Sequence, residues 1–152
     1  VSISLSVDPA LAVTPAIRAR LRRELARMVT AAARHDGRKG YEVALRICDD
    51  AAIRELNRDY RNKDKPTDVL AFAQREAAAA AADLLGDIVI SLETAKRQAK
   101  RGLYAELLHL ASHGLCHLLG YDHRDDEEER VMNERAAALR REAARSGKVR
   151  AA

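Results

Sequence analysis

Ile3, Leu5 and Val7 alternate with serines at positions 2, 4 and 6, the period-two pattern of a strand with one buried face. Asp8 and Pro9 end it. Thr14 before Pro15 makes an N-cap and a first-turn proline, and Ile17, Leu21, Leu25, Met28 and Val29 then recur on one helical face to about Arg34. A turn rich in glycine and charge, His35 to Gly40, leads into a second alternating stretch, Tyr41 to Cys48, with Val43, Leu45 and Ile47 on one side. Asp49 or Asp50 can cap a helix carrying Ile53, Leu56 and Tyr60. Arg61 to Asp68 is polar, and Pro66 forces extended geometry on Lys65.

Two short apolar runs follow, Val69 to Phe72 and Gly86 to Ser91, and both read as strands. The Ala-rich stretch Glu76 to Asp83 has helical composition but lies between them, so it reads as an excursion. Helices are predicted from Leu92 to about Lys100, from Leu103 to Leu119 and from Asp125 to about Arg145. The acidic run Asp125 to Glu129 sits at a helix start, where the macrodipole favours it. The order β-α-β-α-β-β-α-α-α predicts an α/β (α+β) fold: one domain over 1–145, a small mixed four-stranded sheet packed with about five helices. Residues 146–152 are expected to be a disordered tail.

Composition changes this picture little. Only 3% of the 152 residues are aromatic, so Leu, Val, Ile and Ala must build the core. A net charge of +4 permits a polyanionic partner without requiring one. Cys48 and Cys116 lack CxxC spacing, and neither a membrane-length apolar run nor a signal-peptide pattern appears. The expectation is a cytoplasmic protein with no membrane contact.

Candidate chemistry concentrates between positions 109 and 123, where the chain reads HLASHGLCHLLGYDH. His113 and His117 stand four apart on a predicted helix, so both rings project from one face and can grip one ion. Gly120 is placed to end the helix in a left-handed residue, letting the chain return His123 as a third ligand. Three imidazoles with an open fourth position describe a catalytic zinc site, one Zn2+ per chain, although ligand type alone also admits nickel, copper or iron. His109, one turn before His113, is a candidate ligand, supporting donor or substrate contact. Asp122 can orient an imidazole or take a proton, or simply make the turn. Cys116 should point away from the ion. The spacing H-x3-H-x5-H resembles the HExxHxxGxxH helix of metzincin proteases, but Gly114 stands where those enzymes carry their general-base glutamate.

HGLCHLLGYDH, from His113 to His123, resembles the signature of the YbeY family of bacterial endoribonucleases. LNRDYRNKDKPTDVLAF, from Leu56 to Phe72, and LGDIVIS, from Leu85 to Ser91, resemble two further segments of that family, in the same order. Ala71 stands where relatives more often have Ser. The resemblance implies a metzincin-like core, zinc held by His113, His117 and His123, and single-strand-specific cleavage of RNA. It further implies roles in maturing the 3′ end of 16S rRNA and in ribosome quality control, with rRNA and ribosomal or small-subunit proteins as partners.

Arg61, Lys63 and Lys65 lie within five positions. If the strand from Val69 runs beside the histidine helix, Arg61 can reach a scissile phosphate, and the resemblance also points to it. A surface ion pair with Asp59 or Asp64 is the plainer alternative. Lys39, Arg46, Arg54, Arg58, Lys96, Arg97, Lys100 and Arg101 can extend a basic groove or simply be solvated. His113 and Asp122 complete the catalytic candidates, and His109, Lys63 and Lys65 the substrate contacts. The rival readings are a metalloprotease-like zinc hydrolase and a ribosome-assembly factor with a non-catalytic zinc.

Overall fold

The computed structural model describes residues 2–74 and 83–151, with side chains through 145. The Ala-rich excursion lies outside the described residues apart from Asp83.

The elements follow the expected order: β1 (Ser2–Val7), α1 (Pro15–His35), β2 (Glu42–Cys48), α2 (Asp50–Arg61), β3 (Val69–Ala73), β4 (Leu84–Ser91), α3 (Leu92–Gln98), α4 (Leu103–Leu118) and α5 (Asp126–Ala151). The domain is α/β, with four strands ordered β1-β2-β4-β3. Helical backbone in α5 runs on past Ser146, where the sequence suggested a tail.

Local chemistry accounts for the boundaries. The Thr14 hydroxyl accepts from the Ile17 N–H and Pro15 opens α1, while the Asp49 carboxylate accepts from Ala52 N–H and fixes which aspartate caps α2. Asn62 closes α2 in the left-handed region, at φ 58°.

β1 and β2 are parallel, with Ile3 opposite Val43, Leu5 opposite Leu45 and Val7 opposite Ile47. This register puts both alternating sets on one face, as the pattern predicts. β2 is also parallel to β4, whereas β3 runs antiparallel to β4 and forms an edge. Leu21, Leu25 and Met28 of α1, Leu107 and Leu115 of α4, and Leu139 of α5 cover the first face in a single core. Each such buried leucine contributes about 1.5–3 kcal/mol. The opposite face is covered in part by α2, where Ile53 packs on Cys48, Leu70 and Val89.

The approach of α4 to the sheet decides where the histidines stand. A Cβ built on Gly114 would lie 2.6 Å from Ile88 Cγ2, below any normal carbon contact. Gly114 therefore lets α4 lie directly on β4, and the rings stand where α4 borders the edge strand β3 and α5. Both cysteines are free and fully buried, and burial pushes each thiol up to about 11, so Cys116 is a packing residue.

Candidate metal centre

His113 and His117 each anchor one ring nitrogen on a backbone carbonyl. His113 Nδ1 lies 2.9 Å from His109 O, and His117 Nδ1 lies 3.1 Å from Tyr121 O. At His117 the Nδ1–H donates to this carbonyl, which leaves the Nε2 lone pair free to bind a cation. Helix α4 supplies the first acceptor from its own preceding turn. The second exists because the chain reverses at Gly120, whose φ of 102° is a left-handed value that suits glycine. The same reversal brings His123 back, with its ring centroid 5.0 Å from that of His117.

Among the described residues, His117, Asp122 and His123 form a group whose donor atoms all lie within 4.8 Å of one another. His113 stands outside that group. Its Nε2 lies 2.8 Å from the side-chain carboxamide of Asn133 on α5, a partner with no counterpart in the sequence expectations. His113 nevertheless shares a cleft of about 420 Å³ with His109, His117 and His123. The donor set suits a divalent transition metal: imidazoles gathered beside a carboxylate, with the His117 ring oriented by a backbone carbonyl. Burial, reinforced by the neighbouring His123, holds the His117 pKa below the ordinary histidine value, which favours the neutral form that a metal requires.

Asp122 accepts from the His123 backbone N–H at 2.8 Å, and this bond, aided by Arg124, holds its carboxyl below the usual range. It braces the turn that presents His123. A carboxylate with a lowered pKa is a weak proton acceptor, so the geometry suits orientation better than base chemistry. His109 is exposed, stacks against His113 with centroids 4.2 Å apart, and has its pKa lowered by partial burial and by His113.

A second cleft, of about 680 Å³, joins His117, Asp122 and His123 to Arg61, Lys63 and Lys65. The edge strand β3 makes this junction. Phe72 turns toward α2, and Val69, Ala71 and Ala73 line the cleft. Arg61 Nη2 donates to Ala71 O at 2.6 Å, and its guanidinium lies 5.2 Å from the centre of the Phe72 ring. Because the contact is to a backbone oxygen, Ala71 serves as well as Ser would. Neither expected acidic partner reaches Arg61: Asp64 pairs with Arg54, and Asp59 with Arg58.

The broader basic groove looks different. Arg46 pairs with Asp8 and Arg97 with Asp50, in addition to Arg54 and Arg58, so four of the eight candidate cations are neutralised in place. Of the other four, Lys39, Lys96, Lys100 and Arg101, the last two line a cleft of about 510 Å³ with His109 and with Arg140 of α5. Asn133 and Arg140 are site residues with no signature in the sequence. They come from another helix, 15 and 22 positions past Leu118, with no motif spacing to mark them. A separate depression of about 470 Å³ on the other face of the sheet is lined by Tyr60, Phe72 and Asp87 and holds none of the histidines.

Residues 13–144 match the family described as Endoribonuclease YbeY. The chain belongs to that family. A relative from Synechococcus sp. strain RCC307, named Endoribonuclease YbeY, is 52% identical over 106 residues, covering 65% of this chain and 66% of its own length. A relative of the same name from Synechococcus elongatus is 52% identical over 99 residues, 60% of this chain and 57% of its own. The chain thus matches about two thirds or less of the length of these two curated relatives. A solution structure of a Thermotoga maritima protein superposes with a TM-score of 0.61 at 25% identity, over 97% of this chain and 93% of that one. Of the three YbeY-like segments of the sequence, β3 with its approach and the histidine turn line the Arg61 and histidine clefts, while the third forms β4, on which α4 packs through Ile88.

Proposed function

We propose that this protein is a metal-dependent endoribonuclease that holds one zinc ion with His113, His117 and His123 and cleaves single-stranded RNA. The observation that carries the reading is the shared cleft in which Arg61, Lys63 and Lys65 face His117 and His123. A phosphodiester carries a negative charge that cationic side chains bind, whereas a peptide bond is neutral. The family's name supports the same choice.

His117 and His123 stand as neighbours, and His113, in the same cleft, would complete the set that holds the ion. A bound zinc supplies Lewis acidity toward a phosphoryl oxygen and lowers the pKa of water. Arg61 stands pre-positioned on Ala71 O, with further N–H groups left to bind phosphate oxygens and offset charge that grows in the transition state. Lys63 and Lys65 hold the adjoining backbone, and Asp122 keeps His123 turned inward. The rRNA substrate, the maturation of the 16S 3′ end, ribosome quality control and the ribosomal partners belong to this proposal on the strength of the family. So does the cytoplasm, with which the lack of any helix long and apolar enough to cross a membrane, among the described residues, is compatible.

Cleavage of a single-stranded RNA, a duplex RNA and an unstructured peptide, each with and without a chelator, tests the reading. Chelator-sensitive loss of the single strand only is expected; cleavage of the peptide and not the RNA would reverse the assignment. Arg61→Ala should slow RNA cleavage by about 10²-fold while leaving bound metal and the thermal midpoint unchanged. An unaltered rate at saturating metal would remove Arg61 from the chemistry.

A further inference from the structure

Arg140 lines two of the clefts around the histidines without a carboxylate partner among the described residues. It is half-buried on α5, and its Nη1 donates to Ser112 Oγ at 2.6 Å, which in turn donates to His109 O at 2.8 Å. Among the described residues no carboxylate pairs with it, whereas Arg46, Arg54, Arg58, Arg97, Arg124 and Arg130 all have carboxylate partners. Burial pulls its pKa below the ordinary arginine value, countered only in part by the Cys116 thiol and by no carboxylate. A guanidinium withdrawn from water without a counter-ion is costly, and a fold that keeps one gains by presenting it to an anion.

Its position says which anion. The histidine cleft contains Arg140 together with His113, His117 and His123. The neighbouring cleft contains Arg140 with His109, Lys100 and Arg101. The Arg61 cleft adjoins the first through His117 and His123. The three therefore make one trough with the histidines in the middle, Arg61, Lys63 and Lys65 on one side, and Arg140, Lys100 and Arg101 on the other. Asp68 and Glu106 also line the Arg140 side. Glu129 lines the histidine cleft as well; the Asp68 carboxylate is taken by the Gln98 side chain at 3.2 Å and the Val69 N–H at 2.8 Å, and among the described residues none of the three carboxylates pairs with the guanidinium.

We propose that Arg140 is a second phosphate-binding residue, which takes a backbone phosphodiester of the RNA on the side of the histidines opposite Arg61. The proposal rests on the RNA reading above for the identity of its ligand, and it makes the substrate a strand that crosses the metal centre rather than one that ends there. Arg140 positions this strand and takes no part in bond cleavage. Short oligonucleotides that reach only the Arg61 side should then be poorer substrates through KM, with kcat little changed.

Binding of a single-stranded RNA to the metal-loaded protein, measured by anisotropy across a salt series, reads this out for the wild type, Arg140→Gln and Arg140→Lys. Gln keeps a donor for Ser112 and so protects the fold, which the thermal midpoint verifies. Arg140→Gln should weaken binding about tenfold and flatten the slope of log K against log salt by about 0.7, the share of one phosphate contact on a single strand, and Arg140→Lys should restore the slope. In parallel, titration with inorganic phosphate should shift the Arg140 Nε–H resonance of the wild type. An unchanged salt slope in a folded Arg140→Gln protein, or no shift of that resonance with phosphate, would overturn the proposal. Wild type that binds no RNA but shifts with phosphate would instead overturn the RNA reading and leave the anion site standing.

Discussion

Replacing His117 with alanine is expected to abolish bound metal and RNA cleavage together, with a rate loss of about 10³-fold or more. Altering a group that merely supports a ligand typically costs 10–100-fold, and His117 is proposed as a ligand itself. It lines both the Arg61 cleft and the cleft holding His113, so its removal disconnects the phosphate-binding side from the metal side. The fold should survive. His117 is only partly buried, and its ring bonds to Tyr121 O. Metal analysis, RNA cleavage and thermal unfolding on one preparation check the three parts. Retained metal with lost cleavage would make His117 a substrate contact instead.

Gly114→Glu is expected to unfold the protein, not to create a peptidase. The substitution restores the residue that metzincin proteases carry after their first histidine, so on sequence grounds it looks like a gain of a general base. At this position, however, the space for a side chain is taken by the buried Ile88, with Cγ2, Cγ1 and Cδ1 at 2.6, 3.2 and 3.4 Å from where a Cβ would stand. Overpacking by a single methyl costs about 1–3 kcal/mol. A carboxylate driven into the same contact adds an unpaired charge in an apolar core, which together can exceed the roughly 5–15 kcal/mol that holds a domain folded. Gly114→Ala should fold with a lowered midpoint, and Gly114→Glu should be protease-sensitive and lack a cooperative transition. A folded Gly114→Glu protein that cleaves peptides would show that α4 can leave the sheet, contrary to this packing.

The two glycines flanking His117 show how differently parts of the site were written in the sequence. Gly120 was legible because a left-handed helix end has a local signature, and the return of His123 followed from it. Gly114 was legible only as a missing glutamate; its reason, Ile88, lies on a strand 26 positions earlier and has no local trace. The strands and helices were readable throughout because alternation and helical spacing report burial directly, as the register of Ile3 on Val43 and Leu5 on Leu45 illustrates. Arg61 needed one assumption, that β3 lies beside the histidine helix, and the antiparallel edge strand satisfies it. The groove of surface arginines misled because ion pairs such as Arg46–Asp8 join residues 38 apart, which composition cannot reveal. Asn133 and Arg140 were invisible for the same reason, since they enter the site through the packing of α5 on α4.

The central claim is that the histidine cluster holds the metal on which RNA cleavage depends. Stepwise removal of metal by a chelator, with bound metal and the cleavage rate of a single-stranded RNA measured on the same samples, tests it most directly. The rate should fall in proportion to bound metal, reach background at zero, and return when zinc is added back to the wild type but not to His117→Ala. Cleavage that persists in metal-free protein would contradict the account.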